Sequence, residues 1–358
     1  MKHIPALDGL RGLACLSVVA FHAFGAIFRG GQLGVDVFFV LSGFLITNIL
    51  LQDLETCGTI RFKDFYIRRA RRLFPALIGT VALGAVVWLI FGGRARLFNW
   101  AAAALGYYSN WQICYYGYAS MGPLPHTWSL AVEEQFYVVW PAMLLLLARL
   151  CGKEKSLLAR AILALTGFFV ALRFAFGWVS SPLALYPSTL VRMDALLIGC
   201  ACSCIYEETG AFWSGRRGGL IAGACGVALI ALILSYNSLR FSGTAGLVRT
   251  LVALYAAAII LRLTSGAGNR VLEHSWLVAI GKRSYGIYLY PVVLGFAFPN
   301  ITFPGRALAV SLAGIGVAWL SFKYLETPFL RRNPIYLTRP PAAADPQALE
   351  STAVPTRS

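Results

Sequence analysis

Ten apolar stretches set the terms on which this chain can fold. They lie near residues 10–28, 35–52, 73–92, 129–148, 157–177, 188–205, 220–236, 244–263, 277–298 and 306–322. Each runs about 17–22 residues, which suits a helix crossing a bilayer and is about twice the length of a barrel strand. The balance of the chain agrees: 58% of its 358 residues are hydrophobic and 13% are charged, where soluble domains carry about 25% charged residues. The pattern predicts an all-α, polytopic membrane protein of about ten transmembrane helices with no soluble globular domain.

The net charge of +16 does not point to nucleic acid. The basic residues flank apolar spans and form no aromatic-interleaved patch on a soluble domain. They follow the positive-inside pattern instead. With the N-terminus in the cytoplasm and the marginal segment 97–111 not crossing, one side holds Arg61, Lys63, Arg68, Arg69, Arg71, Arg72, Arg149, Lys153, Lys155 and Arg160. Arg216, Arg217, Arg262, Arg270, Lys323, Arg331 and Arg332 fall on that side too, against Arg29, Arg94, Arg96, Arg240 and Arg306 opposite. A crossing at 97–111 would flip every later loop and destroy the bias. We therefore expect ten spans, both termini cytoplasmic, in the cytoplasmic (inner) membrane. Residues 93–128, rich in Tyr and Trp, become an outer interfacial or re-entrant element.

The first span carries His22 and runs into Arg29-Gly30-Gly31 without a clear cleavage site, so it reads as retained and not as a signal peptide. Residues 1–335 form the expected membrane domain, and the Pro- and Ala-rich segment 336–358 reads as a disordered cytoplasmic tail. The eight cysteines suit buried thiols. Cys200, Cys202 and Cys204 cannot all share one helix face, and no fourth ligand lies beside them, so no metal site is expected.

Polar residues inside apolar spans are costly and mark functional sites. Arg11 and His22 stand out first. Eleven residues apart, they lie on one face of a helix and about 16 Å apart along its axis. Imidazole can serve as a general base or a nucleophile. The topology places Asp36, His126, Glu133, Glu134, Arg192 and Asp194 with His22 toward the outer side. Arg11, Arg68–Arg72, Lys282, Arg283 and Glu326 fall toward the cytoplasm. The run Arg68-Arg69-Ala70-Arg71-Arg72 before Pro75 has two readings. It can serve topology and lipid headgroups, or its forked guanidiniums can hold phosphates. Pro75 suits the first turn of a third span beginning near residue 73. Glu133 and Glu134 open the fourth span, with Tyr137 on the face of Glu133.

Together these residues resemble acyltransferase family 3, membrane enzymes that acylate hydroxyls of carbohydrates and some natural products. The resemblance covers about residues 5–333 and rests on ordered motifs. They are Leu7-Asp8-Gly9-Leu10-Arg11-Gly12 with His22, Gly34-Val35-Asp36 through Ser42-Gly43-Phe44, and the Arg run ending at Pro75. His126-Thr127-Trp128-Ser129-Leu130 through Glu133 and Tyr137, Arg192-Met193-Asp194, Ser284-Tyr285-Gly286-Ile287-Tyr288-Leu289 and Glu326-Thr327-Pro328-Phe329 follow. Tyr290-Pro291 stand where many relatives carry a His after Tyr-Leu. Some relatives also carry an extracytoplasmic hydrolase-like domain, which is not expected here, so a second step would fall to another protein.

The resemblance implies acyl-CoA as co-substrate, with no permanently bound cofactor, and marks Arg11, His22, Arg69, Arg72 and Glu326 as functional positions. The expected catalytic set is His22, with Asp36 orienting it, and Glu133. Acyl-CoA would be held by Arg11, Arg68, Arg69, Arg72 and Glu326, and Arg11 is expected to guide a phosphate or pair with Glu326. His126, Trp128, Glu134, Tyr137, Arg192 and Asp194 would shape the pocket for a carbohydrate or glycolipid acceptor. Whether His22 moves a proton or carries the acyl group stays open here. The alternatives are a transporter or flippase for an anionic lipid or saccharide, which the lack of an internal repeat weakens, and an acyltransferase acting on a small metabolite.

Overall fold

A computed structural model describes residues 3–25, 27–92, 95–152, 154–179, 186–236, 243–298 and 304–331. Within hydrocarbon each backbone N–H and C=O must find its partner inside the protein, and the apolar stretches accordingly close on themselves as helices. No strand occurs among the described residues. The helices are α1 (Pro5–Phe24), α2 (Gly34–Cys57), α3 (Phe62–Phe91), α4 (Leu97–Leu105), α5 (Ser109–Tyr116), α6 (Trp128–Leu150) and α7 (Lys155–Val179). They continue with α8 (Thr189–Ile205), α9 (Gly210–Ser214), α10 (Arg216–Ser235), α11 (Gly243–Thr264), α12 (Ser275–Lys282), α13 (Ser284–Phe296), α14 (Pro304–Ser321) and α15 (Thr327–Arg331).

Among the described residues, eight segments are long and apolar enough to cross a membrane, where hydropathy suggested ten. Two expected spans account for the difference. The sixth is α8, at 17 residues slightly short of a full crossing at about 1.5 Å per residue. The ninth is split at Arg283 into α12 and α13. Apolar sequence on both sides of the break hid it. Helices α4 and α5, of 9 and 8 residues, are too short to span. The tail 336–358 lies outside the described residues.

One helix start and one helix end add to the sequence reading. α3 begins at Phe62 and carries the whole Arg run as helix, with Pro75 in its interior. A proline there removes the bond its N–H would make to the carbonyl of Arg71, and the helix tolerates the loss. Past α14, residues Phe322–Glu326 form a π-helical turn. Thr327 Oγ1 bonds back to the carbonyl of Phe322 at 2.6 Å, an anchor for the widened turn. Such turns are frequent at functional sites because the extra residue re-aims a side chain.

α2 is the central helix, buried along most of its length and flanked by α1, α6, α8 and α11. Its closest partner is α8, and the contact depends on two glycines. A Cβ at Gly43 would collide with the carbonyl of Leu196, and one at Gly199 with that of Val40. Close backbone approach through small residues gives membrane helices dispersion contacts that side-chain bulk would prevent. α1 packs on α12 in the same way, with Gly281 against the carbonyl of Asp8. At the periphery α10 turns Leu220, Val227 and Ile230 outward, as lipid-facing positions do.

Candidate functional site

Several elements converge at the Arg-rich end of the bundle around a cavity of about 360 Å³. α1 brings Asp8 and Arg11; α3 brings Arg68, Arg69, Arg71 and Arg72; Lys282 comes from the break between α12 and α13. Six cationic side chains therefore face one chamber. Deeper in, α6 contributes Ser129, Glu133 and Tyr137, spaced by four residues along one helix face. α2 adds Ser42, α13 adds Tyr285 and Tyr288, and the π-helical turn adds Glu326.

The basic wall is held from behind. Asp53 on α2 takes a hydrogen bond from Arg61 Nη2 at 2.8 Å and lies 4.0 Å from Arg68. Arg69 lies over the ring of Tyr137, 3.8 Å from its centroid, so cation–π attraction fixes the guanidinium without using its N–H groups. The Nε atoms of Arg69 and Arg11 are buried with no hydrogen-bond partner among the described residues. Glu133 accepts a hydrogen bond from Ser42 Oγ at 2.9 Å and lies within electrostatic range of Arg69 and Arg11. Glu326, 5% exposed, accepts from Ser321 Oγ at 3.4 Å, which in turn accepts from Tyr290 Oη at 2.9 Å. Arg72 and Arg283 are its charged neighbours, and no ion pair joins it to Arg11 among the described residues.

A second cavity, of about 270 Å³, lies at the other end of α1, between α1, α13 and α14. His22 lines it among Val18, Val19, Pro291, Val292 and Val310. The imidazole Nδ1 is 2.8 Å from the carbonyl oxygen of Val18. A carbonyl can only accept, so Nδ1 carries the proton. In the neutral ring Nε2 then holds the lone pair and is the basic atom.

That bond replaces the role expected of Asp36. Asp36 does not orient His22: its oxygens take Arg192 at 2.7 Å and Arg249 at 3.0 Å. Arg192 and Asp194 likewise form buried ion clusters and not an acceptor pocket. Asp194 accepts from Arg173 at 3.0 Å and Thr250 at 2.7 Å. Arg192 also lies over the rings of Phe39, Trp128 and Tyr186. Trp128 is thereby part of an aromatic wall around that ion cluster and lines neither cavity. A buried carboxylate needs compensating charge, and these guanidiniums provide it.

Three further expectations shift. Glu133 and Tyr137 line the chamber at the Arg-rich end and not an outer pocket, because that chamber follows α6 for two helical turns. Glu134 lines neither cavity, with one carboxylate oxygen unpartnered among the described residues. Burial and the nearby Glu134 carboxylate push the Tyr107 phenol well above its usual range. His126 is 4% exposed, and neither ring nitrogen has a hydrogen-bond partner among the described residues. It stacks edge-on against Tyr288, with ring centroids 5.5 Å apart.

Arg173 and Arg249 were missed in the sequence. Both sit within expected spans, 157–177 and 244–263, and the cost of an intramembrane charge should have flagged them. Ser42 and Tyr288 lay inside quoted motifs, but only the fold shows what they touch. Among the described residues no group of three His, Cys, Asp or Glu side chains could hold a metal ion.

A family model described as an acyltransferase domain matches residues 4–323. The chain belongs to this acyltransferase family. Its multi-pass helical fold agrees with the resemblance read from the motifs. Peptidoglycan O-acetyltransferase OatA of Listeria monocytogenes is 35% identical over 93% of this chain and 56% of its own length. Putative peptidoglycan O-acetyltransferase YrhL of Bacillus subtilis is 34% identical over 91% and 55%. A putative O-acetyltransferase of Staphylococcus aureus (strain COL) is 30% identical over 93% and 58%. The chain thus spans a little over half the length of these relatives. No solved structure matches it.

Proposed function

We propose that this acyltransferase moves an acyl group, an acetyl group in the first instance, from acyl-CoA to a hydroxyl of a cell-wall or other exported glycan. The observation that carries the reading is the pair of chambers at opposite ends of α1, one faced by six cations and the other holding His22. The names of the relatives supply the acetyl group and the glycan class. The Arg-rich end is the cytoplasmic one, as the positive-inside pattern argues.

In this reading the acyl-CoA phosphates sit against Arg68, Arg69, Arg71 and Arg72, where charge-assisted bonds are strongest. Arg11 and Lys282 extend the cationic rim. The thioester end runs toward Ser129, Glu133 and Tyr288. His22 Nε2 takes the proton of the acceptor hydroxyl. The hydroxyl oxygen attacks the thioester carbonyl carbon, a C–O ester bond forms, and the C–S bond breaks. The CoA thiolate leaves and recovers a proton from the imidazolium, which closes the balance. The carbonyl of Val18 holds the imidazole in the tautomer this step requires.

Mass spectrometry of surface glycans and secreted metabolites, with and without the gene, tests the acceptor. An acyl-sized mass shift on a glycan is the expected result. A shift confined to a small metabolite, or none at all, would overturn the glycan assignment.

A further inference from the structure

Among the described residues, Tyr288 is the one side chain that lines both chambers. Arg11 opens only to the first and His22 only to the second. Tyr288 is therefore the residue at which the two cavities meet. Tyr288 is 8% exposed and sits on α13, between the elements that bound each cavity.

The ring is latched. Tyr288 Oη donates to the carbonyl of His126 at 2.8 Å. Ser129 Oγ lies 2.6 Å from the same Oη, and 3.4 Å from the carbonyl of His126, so the three groups form one hydrogen-bonded cluster. Both partners lie at the start of α6, which ties α13 to α6 at the depth where the chambers meet. His126 packs against the edge of the same ring. On the far side the walls are apolar: Val18, Val19, Pro291, Val292, Phe298 and Val310.

We infer that Tyr288 is the specificity-determining gate of the transfer: latched on Ser129 and His126 it ends the donor chamber at a short acyl group, and unlatched it joins that chamber to His22. This rests on the acyl-CoA reading above. A short acyl group fits before the ring and passes it with a small rotation of the side chain. A longer chain is stopped by the ring. Without the ring, the donor chamber continues into the apolar cavity of about 270 Å³, where each added methylene gains about four-fold in affinity.

The test uses the purified full chain in nanodiscs, acetyl-CoA and hexanoyl-CoA as donors, and soluble cell-wall glycan fragments as acceptor. Tyr288→Ala and the milder Tyr288→Leu should lower turnover with acetyl-CoA and shift the hexanoyl-to-acetyl ratio of kcat/KM upward by ten-fold or more. Tyr288→Phe, which keeps the ring and loses the latch, should shift the ratio in the same direction but by less than either truncation. In the unaltered protein, hexanoyl-CoA should compete with acetyl-CoA no better than CoA itself. A wild-type affinity that rises with chain length would overturn the inference, as would unchanged ratios in folded Tyr288→Ala or Tyr288→Leu. A wild-type protein that does not consume acetyl-CoA at all would instead defeat the functional reading beneath it.

Discussion

The imidazole of His22 and the carboxylate of Asp36 show how one apolar environment assigns opposite roles. His22 opens on a cavity, and its tautomer is fixed by a backbone carbonyl on its own helix. Asp36 is 1% exposed and held by two guanidiniums. His22→Ala should therefore reduce acyl transfer by about 10²- to 10⁴-fold, the range for a general base, with normal insertion and thermal stability; near-normal turnover would remove His22 from the chemistry. Asp36→Asn should act on stability. It leaves Arg192 and Arg249 uncompensated, which costs about 3–5 kcal/mol for a broken buried pair, read as a lower unfolding temperature in detergent. Arg69→Ala should raise the acetyl-CoA KM by about 10- to 100-fold, since a bond to a charged group contributes about 1.5–3 kcal/mol. An unchanged KM would take the phosphates elsewhere. The charged and titratable residues of the site were legible because the membrane makes each of them expensive. Their partners were not, because Asp36 meets Arg249 across 213 positions of sequence and no local spacing encodes that meeting.

At the level of elements, the spans were legible from hydropathy and their interruptions were not. The break at Arg283 changes little in apolar content, yet it aims Lys282 into the chamber and lets Arg283 stack 3.8 Å from the ring centroid of Trp319. The π-helical turn at Phe322–Glu326 has no sequence signature of its own, but it sets Glu326 against the same chamber. The contact between α2 and α8 can be tested directly. Gly199→Leu forces a side chain into the carbonyl of Val40, and overpacking of this kind costs about 1–3 kcal/mol or more. The variant should accumulate poorly and unfold at lower temperature. Gly223→Leu, on α10 where a Cβ would meet only open space, should behave like the unaltered protein. Equal stability of the two variants would contradict the close packing.

For the whole molecule, α1 spans the distance between two cavities of different character. Arg11 faces the cationic chamber at one end, His22 faces the apolar cavity toward the other, and Tyr288 stands where the two meet. The direction of α1 across the membrane rests on the charge of the loops, and a vesicle assay reads it. The full chain is reconstituted in sealed proteoliposomes, with glycan fragments enclosed and radiolabelled acetyl-CoA outside. Protein oriented with its Arg-rich end outward should label the enclosed glycan, and His22→Ala or Arg69→Ala should abolish or weaken that labelling. Label appearing on glycan only when donor and acceptor share one compartment would contradict transfer along α1 from one face of the membrane to the other.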